Sequence, residues 1–261
     1  PRIRVADPVY NAQVICEQAK EAAEHGAKIV VFPELCITGY TCNDLFLQEL
    51  LLEKAKEALL TIAEETGQLE TLFLVGLPVD KDGRLYNVAA VLYRGRILGM
   101  IPKKNIPMYA EFYEGRHFTP GEETVTEYRL GKQVIPFGSN LLFRCEELPE
   151  LILGCELCED LWVAEPPSTS HALMGATVIA NLSASNETVS KDDYRTLLIK
   201  ASSARLLCGY IYTSAGEGES TQDLVFGGHD LIAENGTLLV QSARFTTGIL
   251  YTDLDLSLIH I

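Results

Sequence analysis

The feature that most constrains this chain is a series of short, largely apolar runs at residues 28–33, 72–78, 151–153 and 176–182, each bounded by glycine, proline or a polar cluster. Runs of this length without polar alternation read as strands buried on both faces. Helical signals lie between them. Asp7-Pro8 opens one helix, in which Ala12, Ile15, Cys16, Ala19, Ala22 and Ala23 form a single stripe before Gly26. A second is expected from Thr41 to about Thr66, and others over 168–174 and 192–208. Asp82-Gly83 and Arg94-Gly95 mark hairpin turns joining strands 85–93 and 96–101; a strand at 209–214 leads to a closing hairpin turned at Asn235-Gly236. Buried strands alternating with helices and interrupted by hairpins define an α/β protein with mixed sheets.

Nothing in the 261 residues resembles a linker, a repeat or a low-complexity tract, so residues 1–261 read as one domain. A net charge of −15 argues against a nucleic-acid partner, which needs a basic face. No apolar run approaches the roughly 20 residues of a membrane span. Seven cysteines, an odd number in a chain able to build its own core, suggest reduced thiols and a cytoplasmic location. The five histidines, His25, His117, His171, His229 and His260, show no metal-ligand spacing.

The third run continues through Gly154 to Cys158, which places a thiol at the end of a rigid strand. Cys155 and Cys158 could also be a redox pair, half a zinc site or two plain core thiols; no second ligand pair exists to complete a zinc site. Glu34 and Lys103 fall at comparable places, just beyond predicted strand ends, where α/β folds collect their active sites. Glu34 could equally be a capping carboxylate, and Lys103 with Lys104 a solvated pair. If the three converge, they suit amide hydrolysis without histidine. The thiol attacks, the carboxylate moves protons, and the ammonium faces the developing oxyanion together with the backbone N–H of Glu159. Residues 108–120, rich in aromatic and charged side chains, form an expected functional loop. Gly216-Glu-Gly-Glu-Ser220 is not a phosphate cradle, because its glutamates repel phosphate.

Val30-Val-Phe-Pro-Glu34, Pro102-Lys103 and Cys158-Glu-Asp-Leu-Trp162 resemble the three signature segments of the nitrilase, or carbon–nitrogen hydrolase, superfamily. Residues 32–41, 106–116, 181–185 and 216–226 bring the resemblance closer to the glutamine-amidohydrolase domain of glutamine-dependent NAD synthetases. The resemblance covers nearly the whole chain. It implies a four-layer α-β-β-α sandwich that pairs into dimers and larger homo-oligomers. It implies Glu34 as general base, Lys103 as oxyanion-stabilising lysine and Cys158 as nucleophile, with Lys103 preferred to Lys104 because it directly follows the proline. Glu114 resembles the second glutamate that positions the lysine and the bound amide. Tyr109, Glu159 and Ser185 resemble residues that recognise the amino-acid end of glutamine, although packing and turn formation are the plainer roles for Tyr109 and Ser185. The implied substrate is glutamine, and the implied ammonia acceptor is an NAD synthetase domain. No cofactor is expected in this chain, since ATP and magnesium belong to that domain.

Two departures carry expectations of their own. The Ser-Gly-Gly-x-Asp-Ser loop for ATP is not in the sequence, so the C-terminal synthetase domain is expected to be absent and the chain to be a separated or truncated glutaminase module. The family begins with an apolar strand, of which residues 1–6 are at most the tail, so an unpaired sheet edge is expected. A stand-alone amidase for another small amide and a non-catalytic module are the competing readings.

Overall fold

The computed structural model describes residues 1–258; His260 lies outside them. Helix α1 (Pro8–Glu24) starts as its sequence dictates: the Asp7 side chain accepts a hydrogen bond from the Tyr10 N–H at 3.1 Å, and Pro8 occupies the first turn. Strand β1 is only Ile29–Val31. The helix expected from Thr41 is instead a 3₁₀ segment, Tyr40–Leu47, broken at Asn43 (φ +50°), and helix α2 runs over Glu49–Glu65. The reason is that the start of this segment is bound to a distant glutamate. Thr41 Oγ1 donates to Glu219 at 2.6 Å, and the backbone N–H groups of Tyr40 and Thr41 donate to the same carboxylate at 2.7 and 3.0 Å. Glu219 therefore clasps the 216–220 loop onto this segment.

The first sheet continues with β2 (Leu72–Lys81), β3 (Arg84–Tyr93) and β4 (Arg96–Pro102). Both residues of each intervening turn, Asp82-Gly83 and Arg94-Gly95, have positive φ, the primed-turn geometry that the sequence predicts. A hairpin not anticipated from the sequence follows: β5 (Thr126–Leu130) and β6 (Gln133–Phe137), of which β6 pairs parallel to β4. The second sheet holds β7 (Leu142–Arg144), β8 (Ile152–Leu157), β9 (Val178–Ser183), β10 (Gly209–Ser214), β11 (Leu231–Glu234) and β12 (Thr237–Gln241). Strand orders are β1-β2-β3-β4-β6-β5 and β12-β11-β10-β9-β8-β7. Strands β8, β9 and β10 are parallel, and their neighbours β7 and β11 are antiparallel. Helix α3 (Pro167–Leu173) precedes β9, and α4 (Lys191–Leu206) joins β9 to β10.

The burial pattern turns these elements into layers. Along β2, Leu74 packs against the other sheet, meeting Leu153, Leu157, Val178 and Leu182. Phe73, Val75 and Leu77 face the opposite way, onto Ile15, Leu59 and Ile62 of α1 and α2. On the far side, Ile179, Tyr210 and Tyr212 pack on Ile199 of α4. The order is helices, sheet, sheet, helices: the four-layer α-β-β-α sandwich with mixed sheets. At its edge, half-buried β1 borders a groove of about 760 Å³ lined by Ile29, Val31, Ile211 and Leu254 among others. No helix among the described residues is long and apolar enough to cross a membrane.

One glycine sets the position of Glu34. A Cβ on Gly76 would lie 2.3 Å from the Leu35 nitrogen and 2.8 Å from the Pro33 oxygen, so β2 can pass under the 33–35 turn only without a side chain. Gly76→Ala is expected to cost about 1–3 kcal/mol through overpacking. Because the turn must shift, turnover should fall as well; a thermal melt alongside steady-state kinetics checks both.

Candidate active site

Three strand ends deliver the candidate groups. Strand β4 stops at Pro102, immediately before Lys103; β8 stops at Leu157, immediately before Cys158; β1 stops at Val31, three residues before Glu34. Glu34 is tied to the second sheet by its N–H, which donates to the Ser183 carbonyl of β9 at 3.3 Å. Leu35, next in the turn, has φ +51°.

Lys103 is fully buried, and its Nζ donates to Glu34 Oε1 at 2.7 Å and to Glu114 at 2.7 and 3.0 Å. Glu114 opens a short 3₁₀ turn in the 108–120 loop and also accepts from the Tyr40 hydroxyl at 2.8 Å. Asn87 of β3 donates from Nδ2 to Glu34 Oε1 at 2.7 Å and more weakly to Glu114 at 3.5 Å, while its carbonyl accepts the Lys103 N–H at 2.8 Å. Burial alone would strip Lys103 of its proton, but the Glu114 and Glu34 carboxylates outweigh that and hold it charged, its pKa well above the ordinary lysine value. Such a buried ion cluster is a poor source of stability, which points to a functional reason for it. Lys104 faces the surface and pairs with Glu123.

Cys158 is 7% exposed and adopts φ +41°, a strained left-handed conformation at the first residue of a 3₁₀ turn, Cys158–Leu161. Asp160 holds that turn. Its carboxylate accepts from Leu157 N–H at 3.0 Å, from Asn105 N–H at 2.8 Å and from the Asn105 side chain at 2.9 Å, which locks the cysteine turn to the segment after Lys103. Burial above all, with Glu34 adding to it against Lys103, pushes the Cys158 thiol up to about 12. The thiol is therefore protonated near neutral pH and needs a base. Glu34 suits that role: burial raises its pKa to about 7, with Lys103 opposing and Glu114 reinforcing the rise. Cys155, by contrast, is wholly buried between the sheets, and all seven cysteines are free. Among the described residues no His, Cys, Asp and Glu group is placed to hold a metal.

The rim holds the remaining sequence candidates. The exposed Tyr109 donates from its hydroxyl to both oxygens of Glu159, at 3.0 and 2.9 Å. Ser185 is buried; its N–H donates to Ser214 Oγ at 3.1 Å and its hydroxyl accepts from Arg195 at 3.3 Å. Lys191, which the sequence reading missed, opens α4 with its Nζ bonded to Asn186 and lying 5.2 Å from the Trp162 ring and 5.6 Å from that of Phe112. Burial lowers its pKa, with Cys158 opposing the drop. Asn87, Tyr40 and Asp160 were missed too, the first lying unmarked inside an apolar strand. His117 bonds Asp44 at 2.9 Å, as does Arg116 at 2.7 Å. Beside Glu114 lies a cavity of about 50 Å³ lined by Tyr40, Glu111, Tyr113 and Leu224; Cys158 does not line it.

A buried Glu–Lys–Glu cluster and a cysteine with left-handed backbone thus meet at the strand ends of a sandwich of two mixed six-stranded sheets. The family model described as carbon-nitrogen hydrolase matches residues 1–260, and the chain belongs to that family. The glutamine-dependent NAD(+) synthetase of Mycobacterium tuberculosis is 43% identical over 245 residues, 94% of this chain and 36% of the relative. The enzyme of the same name from Aquifex aeolicus is 31% identical, over 97% of this chain and 41% of its own length. The crystal structure of a glutamine-dependent NAD(+) synthetase from Cytophaga hutchinsonii superimposes with a TM-score of 0.84 at 30% identity, covering 93% of this chain and 39% of that one. The chain thus spans somewhat more than a third of the length of these relatives.

Proposed function

We propose that residues 1–261 form one glutamine amidohydrolase unit that cleaves the side-chain amide through a thioester on Cys158. The observation that carries this reading is the fully buried Lys103, fixed at 2.7 Å from Glu34 and 2.7 Å from Glu114. Cys158 Sγ bonds to the amide carbon as its proton passes to Glu34, while Lys103 and the Glu159 N–H face the oxyanion. Glu34 returns the proton to the departing nitrogen, which leaves as ammonia. A water then attacks the thioester, giving its proton to Glu34, and glutamate and the free thiol are released. Glu114 holds the lysine and the bound amide in place. At the rim, Glu159, braced by Tyr109, suits the substrate ammonium. Lys191 and the Ser185 hydroxyl suit its carboxylate.

The similarity to NAD synthetases supports a destination for the ammonia: amidation of deamido-NAD by an ATP- and magnesium-using synthetase domain. The nitrilase-type architecture supports assembly as a homo-oligomer built on a dimer, and seven free cysteines suit a cytoplasmic location. No cofactor takes part in the steps assigned to this chain.

The test is a panel of primary amides. Glutamine should exceed asparagine, carbamoyl compounds and simple ω-amides in kcat/KM by on the order of 100-fold. Asparagine, one methylene shorter, cannot reach Cys158 with its amino-acid end on Glu159 and Lys191, and the other amides leave those groups unpaired. A preference for another amide overturns the glutamine assignment. Since Glu34 must be ionised to accept the thiol proton, kcat/KM should fall as pH drops through about 7, and by about tenfold per pH unit below that.

A further inference from the structure

Asn87 is an unexpected residue for the middle of β3. Asparagine is a poor strand former, and its neighbours Val88, Ala89, Ala90 and Val91 are all buried and apolar. Its side chain is fully buried, yet only half of it is used: Nδ2 donates to Glu34 and Glu114, while Oδ1 has no hydrogen-bond partner among the described residues. Leaving an acceptor buried and unmet is costly, so packing alone favours an apolar residue here. The orientation is fixed by chemistry, because rotating the amide would set Oδ1 against Glu34 Oε1, acceptor against acceptor.

The consequence falls on Glu34. Its Oε1 receives both Asn87 Nδ2 and Lys103 Nζ at 2.7 Å, whereas its Oε2 is buried with no hydrogen-bond partner among the described residues. Resting on the catalytic reading above, we propose that Asn87 is the positioning residue that distinguishes the two oxygens of Glu34, tying Oε1 beside Lys103 and reserving Oε2 as the atom that exchanges protons with Cys158. The backbone carbonyl of the same residue accepts the Lys103 backbone N–H at 2.8 Å, a bond independent of the side chain, so strand pairing keeps the two residues together. The groups facing Glu34 are then complete: Lys103 beyond β4, Glu114 with Tyr40 behind it, Cys158 beyond β8, and Asn87 as the uncharged donor. A neutral donor does here what a second cation could not, since it stabilises the ionised carboxylate without neutralising it.

Asn87→Leu removes the donor at similar volume, and Asn87→Asp replaces it with an acceptor of the same shape. Both should lower kcat by on the order of 10–100-fold, with the KM for glutamine changed by less than about a factor of two. The decisive readout is the acid limb of kcat/KM. Losing a hydrogen bond to the ionised form should move its midpoint upward, by about one pH unit in Asn87→Leu and further in Asn87→Asp. Activity of Asn87→Leu should accordingly recover in part at alkaline pH, where the shifted limb no longer limits and only the loss from mispositioning remains. Iodoacetamide labelling of Cys158 should follow the same displaced limb. A limb left at the wild-type position, whatever happens to stability or kcat, overturns the proposal. Should Asn87→Leu not fold, the isosteric Asn87→Asp decides alone. Failure of the underlying reading looks different: the wild-type protein itself would then show no acid limb and no hydrolysis of glutamine.

Discussion

Cys158→Ala is expected to abolish amide hydrolysis, lowering kcat by about 10⁴-fold or more, the scale seen when the nucleophile of a catalytic triad is removed. Nothing else at the site can form the acyl intermediate: Cys155 lies between the sheets, and Glu34 and Lys103 are committed to each other. The fold should tolerate the change. Alanine occupies less space than the thiol it replaces, and the left-handed backbone at position 158 is equally strained in both proteins. Truncation of so small a side chain costs about 1 kcal/mol, a shift of roughly 2–4 °C in the melting midpoint of a chain this size. Ammonia release and a thermal melt together check the expectation. Retained hydrolysis in a folded Cys158→Ala variant contradicts the assignment of the nucleophile.

Lys103→Met is expected to damage both activity and stability. The methionine fills the space but leaves the buried carboxylates of Glu34 and Glu114 without their cation. Removing one member of a buried ion cluster costs about 3–5 kcal/mol, so a fall of roughly 10 °C in melting midpoint follows. Activity should drop on the order of 10³-fold, because the oxyanion partner and the orientation of the base are lost together. The stability deficit should depend on pH in a specific sense. Burial already lifts Glu34 from an ordinary 4.5 to about 7 with the lysine present, and without it the shift is larger. A carboxyl whose pKa is higher in the folded than in the unfolded chain binds a proton on folding, so stability is lost as pH rises through that window. The gap between variant and wild type should therefore narrow toward acid and widen toward alkali. Melting curves across that range measure it; a deficit independent of pH contradicts the charge balance assigned to the cluster.

What could be read in the sequence follows physical rules. The runs at 72–78 and 151–157 were legible because a strand covered on both faces leaves an apolar run, and the β2–β4 meander was legible because Asp82-Gly83 and Arg94-Gly95 suit positive φ. The β5–β6 hairpin was not. Its strands alternate, with Thr126, Glu127 and Arg129 exposed and Tyr128 and Leu130 inside, and they lie at a sheet edge, so no continuous run marks them. The kinked 40–47 segment was misread because its Thr41 hydroxyl serves a glutamate 178 residues away, a partner that no local pattern reveals.

The site divides the same way. Glu34, Lys103 and Cys158 each follow a strand, and that regularity is visible in one dimension. The distinction between Lys103 and Lys104 needed the resemblance in the sequence; in the fold it is plain, one lysine buried between carboxylates and the other on the surface. Asn87, Asp160 and Lys191 carry no sequence signal of their own. Each acts through groups brought near by the pairing of distant elements: Asn87 and Glu34 are 53 residues apart, Asp160 and Asn105 are 55 apart.

The central claim is that Cys158 is the nucleophile of a site that recognises glutamine. It is tested most directly by treating the protein with an electrophilic glutamine analogue, with and without excess glutamine, and mapping the adduct by mass spectrometry. The account predicts a single adduct on Cys158, suppressed by glutamine, while the six other cysteines stay unmodified. Labelling spread over several cysteines, or an adduct on Cys158 that glutamine does not protect, contradicts it.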